Sequence, residues 1–486
     1  MFKKIWQKYE KMPVSVKASL WFVICAVLQK GIATITTPIF TRIMTPEEYG
    51  QFNVFTSWQG IIGVFVTLNL NAGVFAQGVV KFAKERAVFV SSLQGLCLSL
   101  CCIWAVIYLM TENFWNQLFG LTTVQMLSML LMIWLSAVWG FWSMTQRVDF
   151  LYRKVVALSL IMSIMTPALG IFMVLNADDK VTARILSILI VQLLLYTGLF
   201  FMQMQRGKTF YSGHYWRYAL AFNIPLIPHY LSGVILASSD RIMIQQMVGN
   251  AEAGIYSLGC SVAVVMSLFN GSLMQTLEPW LYRKISEGKV LEIAPVAYTS
   301  FALIAGLNLL LIAFAPELVA VFAPPAYYEA IWIIPPVTMG VYFTFTYSFF
   351  ATFEFYFEKT RFIAIATVLG AVANLALNYL LLPYFGYVAA GYTTLLCYII
   401  YAVSHYIFMQ RVAHEKFAGI KIYSLTTIMA ITVSFMFMAG IFALSYENML
   451  TRYGLLLVCM VAIYAKRRLI MDKVREILMT RKQVKE

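Results

Sequence analysis

The protein has 486 residues, of which 61% are hydrophobic and 12% are charged, and its mean hydropathy is +0.77. A soluble domain carries roughly 25% charged residues, so this composition excludes a soluble enzyme and indicates an integral membrane protein. Lys and Arg outnumber Asp and Glu by 36 to 22, which gives a formal net charge of +14. In a membrane protein such an excess is typical of loops that face anionic lipid, so it does not require nucleic acid as a partner.

Long apolar runs follow one another along the whole chain. About 20 such residues span a bilayer as a helix, and this criterion predicts about fourteen spans. Their approximate limits are 16–40, 52–76, 88–110, 124–146, 155–176, 183–204, 217–238, 254–277, 292–315, 331–353, 361–382, 386–409, 422–446 and the short run 452–465. The connecting loops are too short to hold a soluble domain. We therefore expect an all-α polytopic protein whose chemistry lies inside the bundle or at its faces.

The cations divide unequally between the two ends of the predicted spans. If both termini lie in the cytoplasm, 30 of the 36 Lys and Arg residues fall on the cytoplasmic side. Lys30 is the one cation that we expect inside a span. The cations expected on the opposite side are Arg42, Lys180, Arg184, Arg241 and Arg452. This positive-inside bias supports the orientation and an even number of spans.

Both ends of the sequence carry apolar residues at helical spacing among cations. Phe2 and Trp6 follow this pattern at the start, and Leu469 and Ile477 follow it within 466–486. We expect basic amphipathic helices on the membrane surface, the second forming a cytoplasmic tail over 466–486. The alternative is that they dock a partner protein.

Motifs for catalysis or metal binding are not found in the sequence. The seven cysteines all fall in apolar runs without the spacing of a disulfide framework or a zinc site. No GxxxxGK[ST] nucleotide-binding loop and no HExxH motif occurs. We therefore expect no metal, no cofactor and no enzymatic activity, and we expect any transport to be driven by an ion gradient or by substrate flux.

The sequence contains a weak internal repeat. FTRIMTPEEYG (40–50) resembles DRIMIQQMVGNAEAGIY (240–256), and FMQMQRG (201–207) resembles FMQRVAH (408–414), at an offset of about 200 residues. The repeat predicts an N-lobe over 1–205, a C-lobe over 206–415 and two further spans within 416–465. Because each half contains six spans, the halves share their orientation, and we expect a pseudo-twofold axis along the membrane normal with a central cavity.

Two features inside the spans are candidates for function. A charge such as that of Lys30 costs roughly 2.5–3.5 kcal/mol at the centre of a span, so Lys30 either binds an anionic substrate group in a watery cavity or snorkels or pairs internally. In FNIPLIPHYLSGVILASSDR (222–241), Pro225 and Pro228 interrupt a helix beside His229. This segment is either a hinge that lines a cavity or a packing kink.

Other polar side chains lie in apolar surroundings. The side chains that we expect to hydrogen-bond sugar hydroxyls, or alternatively to join helices, are Asn69 and Asn71 in the second span and Asn270 in the eighth. The carboxylates that could carry a coupling ion are Asp240, Glu278 and Glu354.

Two stretches carry a resemblance to a known family. TTPIFTRIMTPEEYGQFNVFTSW (36–58) and NIPLIPHYLSGVILASSDRIMIQQMVGNAEAGIYSLG (223–259) resemble the bacterial polysaccharide repeat-unit flippases of the Wzx type. That family belongs to the multidrug/oligosaccharidyl-lipid/polysaccharide exporter superfamily. The resemblance implies two six-helix lobes around a V-shaped cavity, with two extra helices at the C-terminus. It also implies that cations of the N-lobe contact a pyrophosphate, and Lys30 and Arg42 occupy comparable places here, with Arg241 as an outer-side helper.

The implied activity is translocation of an undecaprenyl-pyrophosphate-linked oligosaccharide from the inner to the outer leaflet of the bacterial cytoplasmic membrane. The implied partners are this lipid-linked oligosaccharide, membrane lipids, and the polymerase and glycosyltransferases of the same pathway. One alternative is a multidrug/cation antiporter of the same superfold, which needs buried acidic residues to hold cations. A membrane polymerase or glycosyltransferase is a weaker alternative, because it needs a large outer loop.

Overall fold

The computed structural model describes residue 10, residues 12–417 and residues 419–465, and the secondary structure in this part of the chain is helical. The α-helices are α1 (Val14–Ile43), α2 (Pro46–Thr67), α3 (Val74–Lys81), α4 (Arg86–Met110), α5 (Glu112–Phe119), α6 (Thr123–Val148), α7 (Tyr152–Leu175), α8 (Lys180–Gly207), α9 (Gly213–Asn223), α10 (Ile227–Met247), α11 (Asn250–Ser286), α12 (Ile293–Ala313), α13 (Ala315–Phe322), α14 (Ile334–Tyr356), α15 (Thr360–Phe385), α16 (Val388–Lys416), α17 (Leu425–Leu444) and α18 (Met449–Ala465). Short 3₁₀ helices lie at Ala83–Glu85, Ile224–Leu226, Val290–Glu292 and Pro325–Trp332. The two surface helices predicted near the chain ends lie outside the described residues.

The long helices confirm the expected class of all-α polytopic membrane protein. Within the described part of the chain, eleven helices are long and apolar enough to cross a bilayer, and a twelfth forms if Pro325–Trp332 and α14, bent by 46°, are taken together. Two predicted spans do not meet this criterion. Helix α2 has 22 residues but is less apolar, and α18 has only 17 residues. The count of fourteen and the pseudo-twofold axis therefore stay predictions.

The second span ends earlier than its apolar pattern predicts. We expected it to run over 52–76, but α2 ends at Thr67, and Leu68 and Asn69 have left-handed backbones with φ of 50° and 53°. The Thr67 hydroxyl accepts a hydrogen bond from the Asn69 amide and donates to the Gly63 carbonyl. The expectation that Asn69 and Asn71 lie inside the span is therefore wrong, because asparagine tolerates the left-handed turn that stops the helix.

The start of α2 explains part of the 40–50 motif. Thr45 is its N-cap and accepts from the Glu48 amide, while the Glu48 carboxylate accepts from the Thr45 amide. This capping box satisfies two amides that the first turn of the helix leaves free. Lys180 stabilises the C-terminal end of α1, since its ammonium donates to the Ile43 carbonyl at 2.9 Å and lies 3.7 Å from the Glu48 carboxylate.

The two most similar segments of the internal repeat pack directly on each other. A Cβ atom at Gly50 would overlap the carbonyl oxygen of Asn250, and a Cβ at Gly254 would overlap the carbonyl oxygen of Pro46. Only glycine lets two helix backbones approach this closely. The glycines of the 40–50 and 240–256 motifs therefore have a reciprocal structural role where α2 crosses α11.

The last two helices are tied to their neighbours by polar contacts. Arg452 of α18 is buried and pairs with Glu317 of α13, which also accepts a hydrogen bond from Tyr453 at 2.9 Å. The Tyr446 hydroxyl, between α17 and α18, donates to the Ile312 carbonyl at 2.8 Å. Arg452, counted among the outer-side cations, is thus an internal ion-pair partner.

The chain forms two compact units. The first comprises the residues up to Ser257 together with Phe322–Ala326 and Thr367–Tyr387. The second comprises Leu258–Val321, Tyr327–Ala366 and the residues from Val388 onward. The lobe limits inferred from the repeat, 1–205 and 206–415, stay predictions.

Candidate functional site

Lys30 lies near the middle of α1, an apolar helix of 30 residues. The residue is exposed, and among the described residues its ammonium has no acidic partner within salt-bridge distance. A membrane-embedded cation in this state is available to an anion that comes from outside the protein. The Thr34 hydroxyl donates a hydrogen bond to the backbone carbonyl of Lys30, not to its side chain, at 2.9 Å.

The other two predicted phosphate ligands lie near helix ends. Arg42 is exposed in the last turn of α1 and donates from Nη1 to the Pro38 carbonyl at 2.8 Å. Arg241 is half-buried in α10; its Nη1 donates to the Ala237 carbonyl at 3.3 Å, and its buried Nε finds no acceptor in the described part of the chain. Twelve residues separate Lys30 from Arg42, about 18 Å along a helix axis.

Arg184 is a half-buried cation that the sequence predicts on the outer face. Its guanidinium carbon lies 3.0 Å from the ring centroid of Phe40 and 5.1 Å from that of Phe52. Its Nη1 is buried and has no hydrogen-bond partner among the described residues. Aromatic faces attract guanidinium groups, so Arg184 joins α8 to α1 and α2. The feature of the sequence that indicates partial burial of Arg184 is its position about one turn inside α8, not its residue type.

The three asparagines predicted to bind sugar do not form one cluster of free amides. Asn69 is held through its backbone carbonyl, which accepts from the Asn223 side chain at 3.0 Å, and the Asn71 amide packs against Gly140 of α6. Asn270 is buried in α11 and donates to the Val341 carbonyl of α14 at 2.8 Å. In this conformation Asn270 acts as a link between helices.

The predicted hinge interrupts a long helical segment. Between α9 and α10 the chain makes one 3₁₀ turn over Ile224–Leu226, which contains Pro225, and Pro228 lies in the first turn of α10. Proline has no amide hydrogen, so α-helical bonding cannot continue across this point. His229 is half-buried, and its Nδ1 finds no hydrogen-bond partner in the described residues.

Asp240 lies at the centre of a buried polar cluster in the first unit. Its Oδ2 accepts from the Tyr256 hydroxyl at 2.7 Å and its Oδ1 accepts from the Asn378 amide at 2.7 Å. Asn378 lies 3.4 Å from the Asn374 side-chain oxygen, and both asparagines are fully buried. The carboxylate thus joins α10, α11 and α15 through neutral donors.

Glu354 lies in the second unit and has a titratable partner. Its side chain is fully buried near the end of α14, and both carboxylate oxygens lie 2.9 Å from Nδ1 of His405 in α16. His405 is 3% exposed. Glu354 is predicted from the sequence and His405 is not, although an ionisable residue inside the predicted span 386–409 is a signal for function.

Glu278, the third candidate carboxylate, is half-buried in α11. It accepts a hydrogen bond from Tyr282 of the same helix at 2.9 Å. Because a tyrosine one turn away is its partner, this contact does not join Glu278 to another helix. Glu278 therefore differs from Asp240 and Glu354, each of which contacts at least one other helix.

A cavity of about 370 Å³ opens between α2, α4, α5 and α6 of the first unit. Its wall is built from aromatic and aliphatic side chains, among them Trp58, Trp104, Trp115 and Phe119. No charged side chain lines it. Because phosphate and sugar hydroxyls need polar partners, this cavity does not fit the headgroup of a glycolipid.

Comparisons with solved structures identify the fold. The lipid II flippase MurJ in an inward closed conformation matches with a TM-score of 0.68 and 13% identity, covering 93% of this chain and 100% of that chain. A multidrug resistance MATE family transporter of the MOP superfamily, in an inward-facing conformation, matches with a TM-score of 0.60 and 14% identity over 80% of this chain and 95% of that chain. At these identities the likeness shows the fold alone.

Two relatives come from Haemophilus influenzae. Lsg locus putative protein 1 is 27% identical over 212 residues, which cover 41% of this chain and about half, 51%, of that protein. An uncharacterized membrane protein is 23% identical over 376 residues, which cover 74% of this chain and 88% of the relative. A family model described as polysaccharide biosynthesis protein matches residues 15–284, more than half of the chain. The protein therefore belongs to the polysaccharide biosynthesis protein family.

Proposed function

We propose that the protein is a flippase for an undecaprenyl-pyrophosphate-linked oligosaccharide repeat unit. It moves this lipid from the inner to the outer leaflet of the bacterial cytoplasmic membrane by alternating access, with both termini in the cytoplasm. The oligosaccharide serves a surface polysaccharide such as O-antigen, capsule or exopolysaccharide. The pathway's polymerase and glycosyltransferases are the proposed protein partners.

The observation that carries the proposal is the state of Lys30. Its ammonium lies in the middle of an apolar helix, is exposed, and has no acidic partner among the described residues. A charged side chain at the centre of a span is expensive, so the presence of a lysine there supports a function, and a pyrophosphate is the anion that a lipid-linked sugar carries. A cation-binding antiporter has no use for an uncompensated lysine at this position.

We assign the remaining predicted residues to successive contacts with the substrate. Because Lys30 and Arg42 are about 18 Å apart along α1, the pyrophosphate meets Lys30 first, and Arg42 and Arg241 later. Asn270 contacts sugar only after its amide leaves the Val341 carbonyl, and Asn69 and Asn71 offer amides from the turn after α2. Their contribution to binding is therefore expected to be smaller than that of Lys30.

Bending at the proline-containing segment is the proposed motion. Pro225 and Pro228 interrupt the helical hydrogen bonding between α9 and α10, which lowers the cost of changing the angle between them. His229 lies in the same turn, where a buried nitrogen is ready to gain a partner when the segment moves.

The test of the proposal is surface-polysaccharide export in cells that carry Lys30→Ala in place of the wild-type protein. We expect export to fall at least tenfold at normal expression, because a charge-assisted contact to phosphate is typically worth about 1.5–3 kcal/mol. Lys17→Ala makes the same chemical change near the start of α1 and is the matched control. Full export by well-expressed Lys30→Ala protein contradicts the assignment.

The hinge needs a separate variant. Pro225→Ala combined with Pro228→Ala restores two backbone donors, so we expect slower export at unchanged expression. Pro383→Ala, a change at the one proline within α15, controls for loss of proline from a membrane helix in general. Wild-type export by the double variant rules out the hinge.

The alternative function is a multidrug/cation antiporter of the same fold. The observation that favours it is the pair of buried carboxylates Asp240 and Glu354. Reconstitution separates the two functions. Movement of a labelled lipid-linked oligosaccharide without covalent change supports the flippase, and proton-driven uptake of an organic cation without lipid movement supports the antiporter.

A further inference from the structure

A carboxylate and an imidazole face each other inside the second unit. Glu354 is 0% exposed and His405 is 3% exposed, and they lie on α14 and α16, both within candidate membrane spans. Nδ1 of His405 is 2.9 Å from each carboxylate oxygen. Two ionisable groups in such a place are costly unless they stay paired, so their presence points to a function beyond packing.

We propose that the Glu354–His405 pair is a proton-binding site and that the proton is the ion that drives the transport cycle. The inference rests on the proposed function, because it names the coupling ion of that activity. It adds His405, and it selects Glu354 from the three candidate carboxylates.

The surroundings of the pair favour a proton over a metal cation. The ring of Tyr347 stacks on the imidazole at 5.4 Å, Phe362 meets it edge-on at 5.5 Å and Tyr401 meets it at 6.2 Å. Alkali and alkaline-earth cations need several oxygen ligands, whereas this pair offers one carboxylate already engaged by a nitrogen. In the described residues no three His, Cys, Asp or Glu side chains are grouped to hold a metal.

Among the described residues, the other titratable groups around the pair are tyrosines and lysines. Tyr347 and Tyr401 are the ones that touch the imidazole, and tyrosine in water titrates near pH 10. The charged or titratable residues that contact the same end of α14 or the turn after it are Tyr282, Tyr406, Tyr423, Lys359 and Lys416. Tyr423 lies outside the spans, and burial raises its pKa above the ordinary range. The pair contains a histidine, the side-chain type that most often exchanges a proton near neutral pH.

The proposed step is a simple binding of one proton. Before uptake, Nε2 of His405 keeps its own proton and a second proton is shared between Nδ1 and the carboxylate, so the pair has no net charge. Uptake of a further proton from water on an oxygen of Glu354 leaves a neutral acid beside an imidazolium, with a net charge of +1. The charge attraction between Glu354 and His405 is then lost, and release of the proton to water restores it.

The first experiment detects the proton without any substrate. Purified protein in lipid nanodiscs is taken from about pH 8 to about pH 5, and infrared difference spectra record the C=O stretch of protonated carboxyls and the ring bands of imidazolium. We expect Glu354→Gln to remove one carboxyl component and His405→Asn to remove one imidazolium component. A Glu354→Gln spectrum identical to the wild-type spectrum overturns the proposal.

Matched controls lie on the same helix as His405. Glu415→Gln and His414→Asn repeat the two substitutions at exposed positions of α16, and they should leave the buried component in place. The double variant Glu354→Gln with His405→Asn avoids an unpaired buried charge and replaces the pair if a single variant fails to fold. A variant in which the two residues change places, Glu354→His with His405→Glu, should recover the carboxyl signal.

The second experiment measures transport of a fluorescent lipid-linked oligosaccharide in proteoliposomes with and without a pH gradient. We expect the gradient to speed wild-type transport about tenfold, a typical coupling between two sites, and to have no effect on Glu354→Gln or the double variant. A gradient response in Glu354→Gln equal to that of the wild type also overturns the proposal.

The two proposals fail in different ways. If the wild-type protein moves no lipid while the carboxyl and imidazolium components are present, the proposed function is wrong and the proton site stands. If it moves lipid while Glu354→Gln and wild-type spectra agree, the proton site is wrong and the flippase stands.

Discussion

Two buried carboxylates, one in each unit, have opposite kinds of partner. Asp240 is held by the Tyr256 hydroxyl and the Asn378 amide, which are neutral over the physiological range. Glu354 is held by His405, whose side chain type changes charge near neutral pH. Burial is similar at the two places, with exposed fractions of 5% for Asp240 and 0% for Glu354. The partner, rather than burial, therefore separates a permanent link between helices from a group that can respond to protons.

The largest expected effect comes from removing the partner of Glu354. His405→Ala leaves a carboxylate buried and unpaired, which costs about 3–5 kcal/mol. We expect a large fall in the Tm of the purified protein, measured by fluorescence-detected unfolding. Adding Glu354→Gln to His405→Ala removes the charge and should recover part of the loss. Equal Tm values for His405→Ala and the wild type contradict a paired carboxylate.

The next effect tests whether the Asp240 region is rigid. A methyl group at Gly254 would overlap the Pro46 carbonyl oxygen where α2 crosses α11, so Gly254→Ala should cost about 1–3 kcal/mol. Gly271 lies on the same helix with open space around its Cβ position. Gly271→Ala should therefore be neutral or slightly stabilising. The same Tm for both variants contradicts a tight crossing.

An effect of similar size is expected at Asp240 itself. Asp240→Asn keeps an oxygen for one of the two donors and loses the charge-assisted bond to the other, a change of about 1–3 kcal/mol. Because Tyr256 and Asn378 are neutral, we expect the loss of Tm from these two contacts to be the same at about pH 6 and about pH 8. A loss that grows or shrinks across this interval shows that Asp240 also titrates and removes the contrast with Glu354.

The smallest effect belongs to an exposed carboxylate. Lys289 donates to Glu287 at 3.2 Å and holds the pKa of that carboxyl below its ordinary value of 4.5. The ion pair therefore stabilises the fold above the ordinary pKa and is lost as the pH falls through the lowered pKa. Solvent screens the pair, so Glu287→Gln should leave Tm at neutral pH unchanged and slightly flatten its acid dependence. A clear loss of Tm at neutral pH contradicts this view of the surface charges.

The fold was predictable wherever one apolar run makes one helix. The run at 16–40 became α1, and the prolines at 225 and 228 marked the break between α9 and α10. The end of α2 was not predictable from hydropathy, because the apolar run continues through Asn69 while the backbone turns left-handed. The local turn geometry sets the end of α2, and hydropathy averaged over 20 residues does not report that geometry.

The residue types of the candidate site could be predicted from the sequence, but the side chains that they contact mostly could not. An ionisable residue inside a span is conspicuous, which is why Lys30, Asp240 and Glu354 were selected. His405 and Asn378 are separated from their carboxylates by 51 and 138 residues in the chain. Spacing within one helix carries no information on such contacts. Arg184 was predicted among the cations of the outer side, and its contacts with Phe40 and Phe52 of other helices could not be read from the sequence.

The most direct test of the central claim is leaflet exchange of a labelled undecaprenyl-pyrophosphate oligosaccharide in proteoliposomes. The wild-type protein and Lys17→Ala should expose the label to an impermeant quencher with the lipid chemically unchanged. Lys30→Ala should slow exposure at least tenfold, which corresponds to about 1.4 kcal/mol. Exposure at the wild-type rate by well-folded Lys30→Ala protein, or exposure no faster than in protein-free vesicles for the wild type, would contradict the account.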